Sequence, residues 1–143
     1  MKNFDDWLND YYPVDAYDFY SHDVIAMLDH GILKWSGFDP DILEEYGTMI
    51  YKGLVGKYIS AKDHHRSLSI DCGSCALCVN FQDDDGCSKC PIVIETGDRC
   101  EGPDSPFMTF IEKNDGQPMV ELLKQVRAKV IARLEKEKER DEV

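Results

Sequence analysis

The clearest periodic signal lies in the last quarter of the chain. Val120, Leu123, Val126, Val130 and Leu134 recur every three or four residues, with Ile131 alongside, and lysine and glutamate fill the other positions. This spacing places the apolar side chains on one stripe of an α-helix. Asp115-Gly-Gln-Pro118 reads as the turn before it, so the expected amphipathic helix covers residues 117–141. Its end, from Glu135 to Glu142, is wholly polar and is expected to project or fray. The stripe is too short to specify a coiled coil, which favours packing on its own domain.

Two shorter helical patterns precede it. In Asp23 to Gly31, Val24, Met27 and Leu28 share a face, Ser21 or Asp23 can cap, and Gly31 is expected to end the helix. In Asp39 to Gly47, Asp39 takes the N-cap, Pro40 opens the first turn and Gly47 lies beyond the end. Trp35, between the two, is expected to anchor the pair in the core. Thr48 to Ile70 is ambiguous. Ile50, Leu54, Val55 and Ile59 have helical spacing that Gly53 and Gly56 weaken, whereas Ser67-Leu-Ser-Ile70 alternates like a short strand.

At the start of the chain Phe4, Trp7, Tyr11, Tyr12, Tyr17, Phe19 and Tyr20 are interleaved with Asp5, Asp6, Asp10, Asp15 and Asp18, and Pro13 breaks any continuing helix. One reading is a short helix and turn whose aromatics cover the core, and it is favoured because large aromatics supply core area. The other is an exposed aromatic–acidic surface, on which the five aspartates would meet a partner.

With 143 residues and 43% apolar content, the chain is expected to form a single α+β, mostly helical domain spanning 1–143. Within it, residues 1–71 form an acidic helical part, 72–107 a cysteine-rich metal-binding subdomain, and 117–141 the C-terminal helix. No apolar stretch reaches the length of a membrane span, and the first residues are acidic without an apolar core segment, so a cytoplasmic location is expected.

The net charge is −12, and it is unevenly spread. Residues 1–47 hold eleven acids against Lys2 and Lys34. Residues 48–71 are slightly basic through Lys52, Lys57, Lys62 and Arg66. So negative a surface repels phosphate backbones and attracts basic protein surfaces, including the nucleic-acid grooves of other proteins.

All six cysteines fall between Cys72 and Cys100, in the run Cys72-x2-Cys75-x2-Cys78-x8-Cys87-x2-Cys90-x9-Cys100. In a reducing compartment such density points to a metal rather than to disulfides. Zinc takes four tetrahedral ligands, and each Cys-x2-Cys places two thiolates on one tight turn. Cys75/Cys78 and Cys87/Cys90 are two such turns, joined through Asp83-Asp-Asp-Gly86, while Cys72 and Cys100 could replace any neighbour. Six thiolates could also hold two zinc ions through shared ligands. Cys72-x2-Cys75-x2-Cys78 with Cys90-Pro91 also suits a 4Fe-4S cluster, except that Gln82 stands where the fourth cysteine belongs. Redox pairs are disfavoured because no thioredoxin-like βαβ frame accompanies them. Histidines 22, 30, 64 and 65 are further candidate ligands, and the His64-His65 pair is better read as a solvated surface pair because the cysteines already suffice. None of the nucleotide-binding, zinc-protease, serine-hydrolase or zinc-deaminase motifs is present in the sequence. A zinc ion filled by thiolates has no open position for water, so its expected role is structural.

Cys75-Ala-Leu-Cys78, Cys87-x2-Cys90-Pro-Ile, Gly97-x2-Cys100 and Ser105-Pro-Phe107 together resemble a group of short cysteine-rich phage and prophage proteins. Lys34-Trp-Ser-Gly37, Tyr46-Gly47 and Gln117-Pro-Met119 are similar to its flanking segments, so the resemblance spans roughly residues 24–123. Cys72 is outside that pattern. The group has no assigned activity, so the resemblance implies a metal site and a source rather than a mechanism. The leading expectation is therefore an acidic, zinc-stapled protein-binding module that modulates a host nucleic-acid-handling protein. An iron–sulfur redox or sensor protein is the first alternative. A nucleic-acid-binding zinc module using Lys52, Lys57, Lys62 and Arg66 is the second.

Overall fold

The computed structural model describes residues 2–19, 23–54, 56–62, 66–71, 74–81, 89–98 and 105–141. Helix α1 (Phe4–Tyr11) opens with a capping box. Asn3 Oδ1 accepts from the Asp6 N–H at 3.0 Å, and Asp6 Oδ2 accepts from the Asn3 N–H at 2.9 Å. Pro13 lies just past its end, and a single 3-10 turn, Ala16–Asp18, follows. The N-terminal aromatics mostly face inward, as the core reading requires: Phe4, Trp7 and Tyr12 are buried, Tyr11 and Phe19 half-buried, and Tyr17 exposed.

Helix α2 (Val24–Ser36) does not end at Gly31 as expected. A Cβ at position 31 would sit 2.9 Å from Leu123 Cδ1, so the missing side chain admits a neighbouring helix rather than terminating this one. Gly37 caps the helix instead, donating to the Lys34 carbonyl at 3.0 Å. Trp35 thus sits in the last turn of α2, buried, with the Phe110 ring edge-on at 4.9 Å and Phe38 at 5.2 Å. Helix α3 (Pro40–Glu45) forms as its sequence suggests, with Asp39 accepting from the Asp41 N–H and Gly47 at a positive φ of 59°.

The ambiguous segment is a sheet. β1 (Thr48–Lys52), β2 (Lys57–Ala61) and β3 (Ser67–Ser69) are antiparallel in the order β1-β2-β3. The helical spacing read from Ile50, Leu54, Val55 and Ile59 is overridden because Gly53 and Gly56 close a hairpin, the Gly53 N–H donating to the Gly56 carbonyl at 2.7 Å. In that register Ile50 faces Ile59, and the Tyr51 and Tyr58 rings stack at 5.4 Å. Ile59 is fully buried beneath the sheet.

Two helices lie in the region 72–107 expected to be a cysteine-rich subdomain, α4 (Ala76–Phe81) and α5 (Pro91–Thr96), and α6 (Pro106–Lys113) begins at its end. Pro91 and Pro106 open the latter two, and Ser105 caps α6 by accepting from the Met108 N–H. Gly97 and Asn114 end them in the left-handed conformation. α7 (Gln117–Asp141) buries Met119, Val120, Leu123, Val126 and Val130 against α2, α5 and α6. Residues 132–140 are solvent-exposed, as the polar sequence implies, and Leu134 is exposed with them. Ala76, Leu77, Cys90 and Ile92 belong to the same buried core as Trp7, Phe110 and Val126. Among the described residues no helix is long and apolar enough to cross a membrane.

One close backbone approach yields a prediction. A Cβ on buried Gly116 would lie 2.8 Å from the Trp35 carbonyl oxygen, which cannot rotate away. Gly116→Ala is therefore expected to destabilise the fold by about 1–3 kcal/mol, measured as a lowered urea midpoint. An unchanged midpoint would mean that α7 can shift off Trp35 freely.

Candidate metal centre

Helical spacing on α2 puts Lys34 on the same stripe as Met27 and Gly31, and this stripe faces inward. Lys34 is only 1% exposed. Its Nζ donates to the Ser74 carbonyl at 3.1 Å and to Ser74 Oγ at 3.3 Å, and it lies 5.1 Å from the Trp35 ring centroid. Ser74 is itself tied to Asp71, donating through its N–H at 3.2 Å and its hydroxyl at 3.3 Å to the Asp71 carbonyl. The ammonium thereby holds the turn that leads into Cys75.

Cys75 directly precedes α4, and its carbonyl accepts from the Val79 N–H at 3.0 Å. One helical turn later Cys78 is buried beside it. The Cys78 thiol donates to the Cys75 sulfur, and the Cys78 and Leu77 N–H groups converge on the same atom. Burial opposes ionisation, while the nearby Lys34 charge favours it. The thiol of Cys75 is held down to about 6, led by the Cys78 hydrogen bond. This lowering favours the thiolate, the form that binds metal. The two sulfurs, Lys34 and Asp71 border a cavity of about 20 Å³, room for roughly one water.

The pair suits two positions of a tetrahedral thiolate site. Cys90 is buried at the N-cap of α5, its carbonyl accepting from the Ile94 N–H at 3.0 Å. Among the described residues no three His, Cys, Asp or Glu side chains converge as metal ligands. Cys72, Cys87 and Cys100 lie outside the described residues, as do His22, His64 and His65.

His30 is buried rather than ligating: its Nε2–H donates to the Val14 carbonyl at 2.7 Å, and Tyr12 and Phe19 flank the ring. Its Nδ1 finds no partner among the described residues. Burial pushes the His30 pKa down, and the Lys34 charge adds to this, against the Val14 carbonyl and Asp15, which raise it. A histidine with a depressed folded-state pKa stabilises the fold fully above its unfolded value of about 6.5 and loses that contribution as pH falls through the folded value. The denaturation midpoint is therefore expected to fall between pH 7.5 and the acid side of pH 6.5, and by less in His30→Gln. Equal falls in both proteins would contradict this.

The five N-terminal aspartates divide. Asp6 is spent in the capping box, and Asp15 caps the 3-10 turn by accepting from the Tyr17 N–H at 2.9 Å. Asp5 pairs with Arg66, and Asp10 accepts from the Tyr46 hydroxyl. Asp5, Asp10, Asp15 and Asp18 nevertheless remain exposed. The two cations among residues 1–47 are both withdrawn from this surface: Lys34 is buried, and Lys2 pairs with Glu45 at 3.0 Å. The basic set of the sheet is dispersed. Lys57 reaches back to Asn114 and the Phe110 carbonyl, Arg66 pairs with Asp5, and Lys52 and Lys62 are exposed.

Comparison with known protein families, curated proteins and solved structures finds no match for this chain, so the site is read from its own residues.

Proposed function

We propose that this chain is a zinc-stapled acidic protein of phage type that acts in the cytoplasm of the host cell by binding another protein. The zinc ion is structural, with Cys75 and Cys78 as two ligands and Cys72, Cys87, Cys90 and Cys100 as the candidates for the rest. The partner carries a basic surface, and a host protein that handles nucleic acid is the fitting class.

The observation that carries this reading is electrostatic. Eleven acids in residues 1–47 face only two cations, and one of those is buried while the other is held by Glu45. The outward field of this part is therefore negative, carried by exposed groups such as Asp10, Asp15 and Asp18, and such a field steers association with basic surfaces. The same field opposes direct nucleic-acid binding.

The test is affinity capture from host lysate across a salt series, with a triple variant, Asp10→Asn, Asp15→Asn and Asp18→Asn, alongside. The expected result is a basic partner whose recovery falls as salt rises and falls again in the variant. Recovery that ignores both salt and the substitutions would sink the acidic-surface reading.

A further inference from the structure

We propose that His30 is a pH-sensitive latch: its neutral imidazole clasps residues 12–19 onto α2, and protonation releases that segment while the helical core stays folded. The latch goes beyond the binding role and depends neither on it nor on the metal.

The segment has few anchors. Pro13, Val14, Asp15, Tyr17 and Asp18 are exposed, which leaves Tyr12, Ala16 and half-buried Phe19 to fasten it. Two of these three meet one ring. The His30 imidazole lies 4.8 Å from the Tyr12 ring and 5.0 Å from the Phe19 ring, centroid to centroid. Between them its Nε2–H donates to the Val14 carbonyl at 2.7 Å. The third anchor, Ala16, donates its N–H to the Tyr12 hydroxyl at 3.1 Å, so it depends on Tyr12 staying in place. Its 3-10 turn also packs on α4.

Only the neutral ring fits this clasp. A carbonyl can only accept, so Val14 keeps the proton on Nε2 and leaves Nδ1 bare. Nδ1 is buried without a hydrogen-bond partner among the described residues. A proton added there creates a buried donor with no acceptor, on a residue only 6% exposed. The surrounding charges do not remedy this. Lys34, one turn along α2, repels a second cation. Asp29 on the same helix is turned to Arg127 of α7 at 2.7 Å. Asp15 attracts the imidazolium, but it is exposed and its carboxylate caps the Tyr17 N–H. On α1, Asp5, Asp6 and Asp10 are engaged with Arg66, Asn3 and Tyr46. In α4 and the residue before it the titratable groups are the Cys78 and Cys75 thiols, and Cys75 acts on Tyr12. Release of the segment brings the ring to water, where it regains its ordinary value of about 6.5. The clasp is therefore complete above that pH. It weakens as pH falls from there toward the lower folded value, and opening rises by up to about tenfold per pH unit across that interval.

The test is hydrogen exchange of the full chain, read by mass spectrometry between about pH 7.5 and pH 5 and corrected for the intrinsic rate. Protection of residues 12–19 is expected to fall several-fold on the acid side, while Val120 to Val130 of α7 keep theirs. His30→Gln retains a donor for Val14 and cannot take up a proton, so its protection of 12–19 should stay level across the same range. Unchanged protection of 12–19 in wild type, a fall shared equally by α7, or an equal fall in His30→Gln would each overturn the latch. A second readout needs no variant: the imidazole resonances of His30, followed by NMR in wild type, should titrate together with the loss of protection. A ring that takes up its proton while residues 12–19 remain protected would likewise overturn it.

Discussion

Stripping the metal with a strong chelator, or replacing Cys75 and Cys78 together by serine, is expected to cost the protein at least about 3 kcal/mol, a fall of roughly 10 °C in Tm for a chain of this size. The reason is local. α4 spans only Ala76–Phe81, far short of the length at which a helix is stable alone. It nevertheless delivers Ala76, Leu77 and Cys78 to the interior, where Ala76 and Leu77 join the core shared with α2 and α7. In the proposed zinc site, metal–thiolate bonds would supply the fixed geometry that six residues of helix cannot. Thermal unfolding followed by circular dichroism, with and without chelator, checks this. A Tm that ignores both chelator and the double substitution would mean that packing alone holds α4.

Trp7→Ala is expected to have a comparable effect, about 3–5 kcal/mol. The indole is fully buried and packs on Phe4 and on Phe38, whose centroids lie at 6.2 and 5.6 Å. Its Nε1–H donates to the Gly37 carbonyl at 2.8 Å, so truncation also orphans a buried acceptor just past the end of α2. Gly37 has no room for a side chain against this ring: a Cβ there would lie 2.8 Å from Trp7. By contrast Tyr17→Ala and Asp18→Asn, both on exposed residues, should stay within about 0.5 kcal/mol of wild type. Urea denaturation of the three variants separates the cases. A small loss in Trp7→Ala would return the aromatics to the partner-surface reading.

These contrasts show what could be read from the residues themselves. α7 was legible because its apolar stripe is long and regular, and α3 because Asp39, Pro40 and Gly47 punctuate it. Gly31 misled, since a glycine inside a helical pattern can mark a close helix–helix approach as readily as an end, and only the position of Leu123 decides between them. The hairpin was hidden because the steps Ile50 to Leu54 and Val55 to Ile59 are each of four residues, as in a helix, although Ile50 and Ile59 themselves would fall on opposite helix faces and instead pair across two strands. The short helices α5 and α6 carry start signals in Cys90-Pro91 and Ser105-Pro106, but a cysteine before a proline fits a ligand turn as well as a helix start. The pairing of Cys75 with Cys78 was legible from spacing alone. Burial of Lys34 beside them was not, although its place on the Met27–Gly31 stripe was available as a clue. A lysine on an apolar stripe is ordinarily one that reaches out to water. What keeps this one inside is the Ser74 turn, forty residues away in sequence.

The most direct test of the account is the metal content of protein purified without oxygen, measured as zinc and iron per chain together with the visible spectrum. The account predicts zinc bound stoichiometrically in a colourless protein, with zinc released when Cys75 and Cys78 are replaced. Iron accompanied by sulfide-to-iron absorption, or a folded protein with no metal, would contradict it.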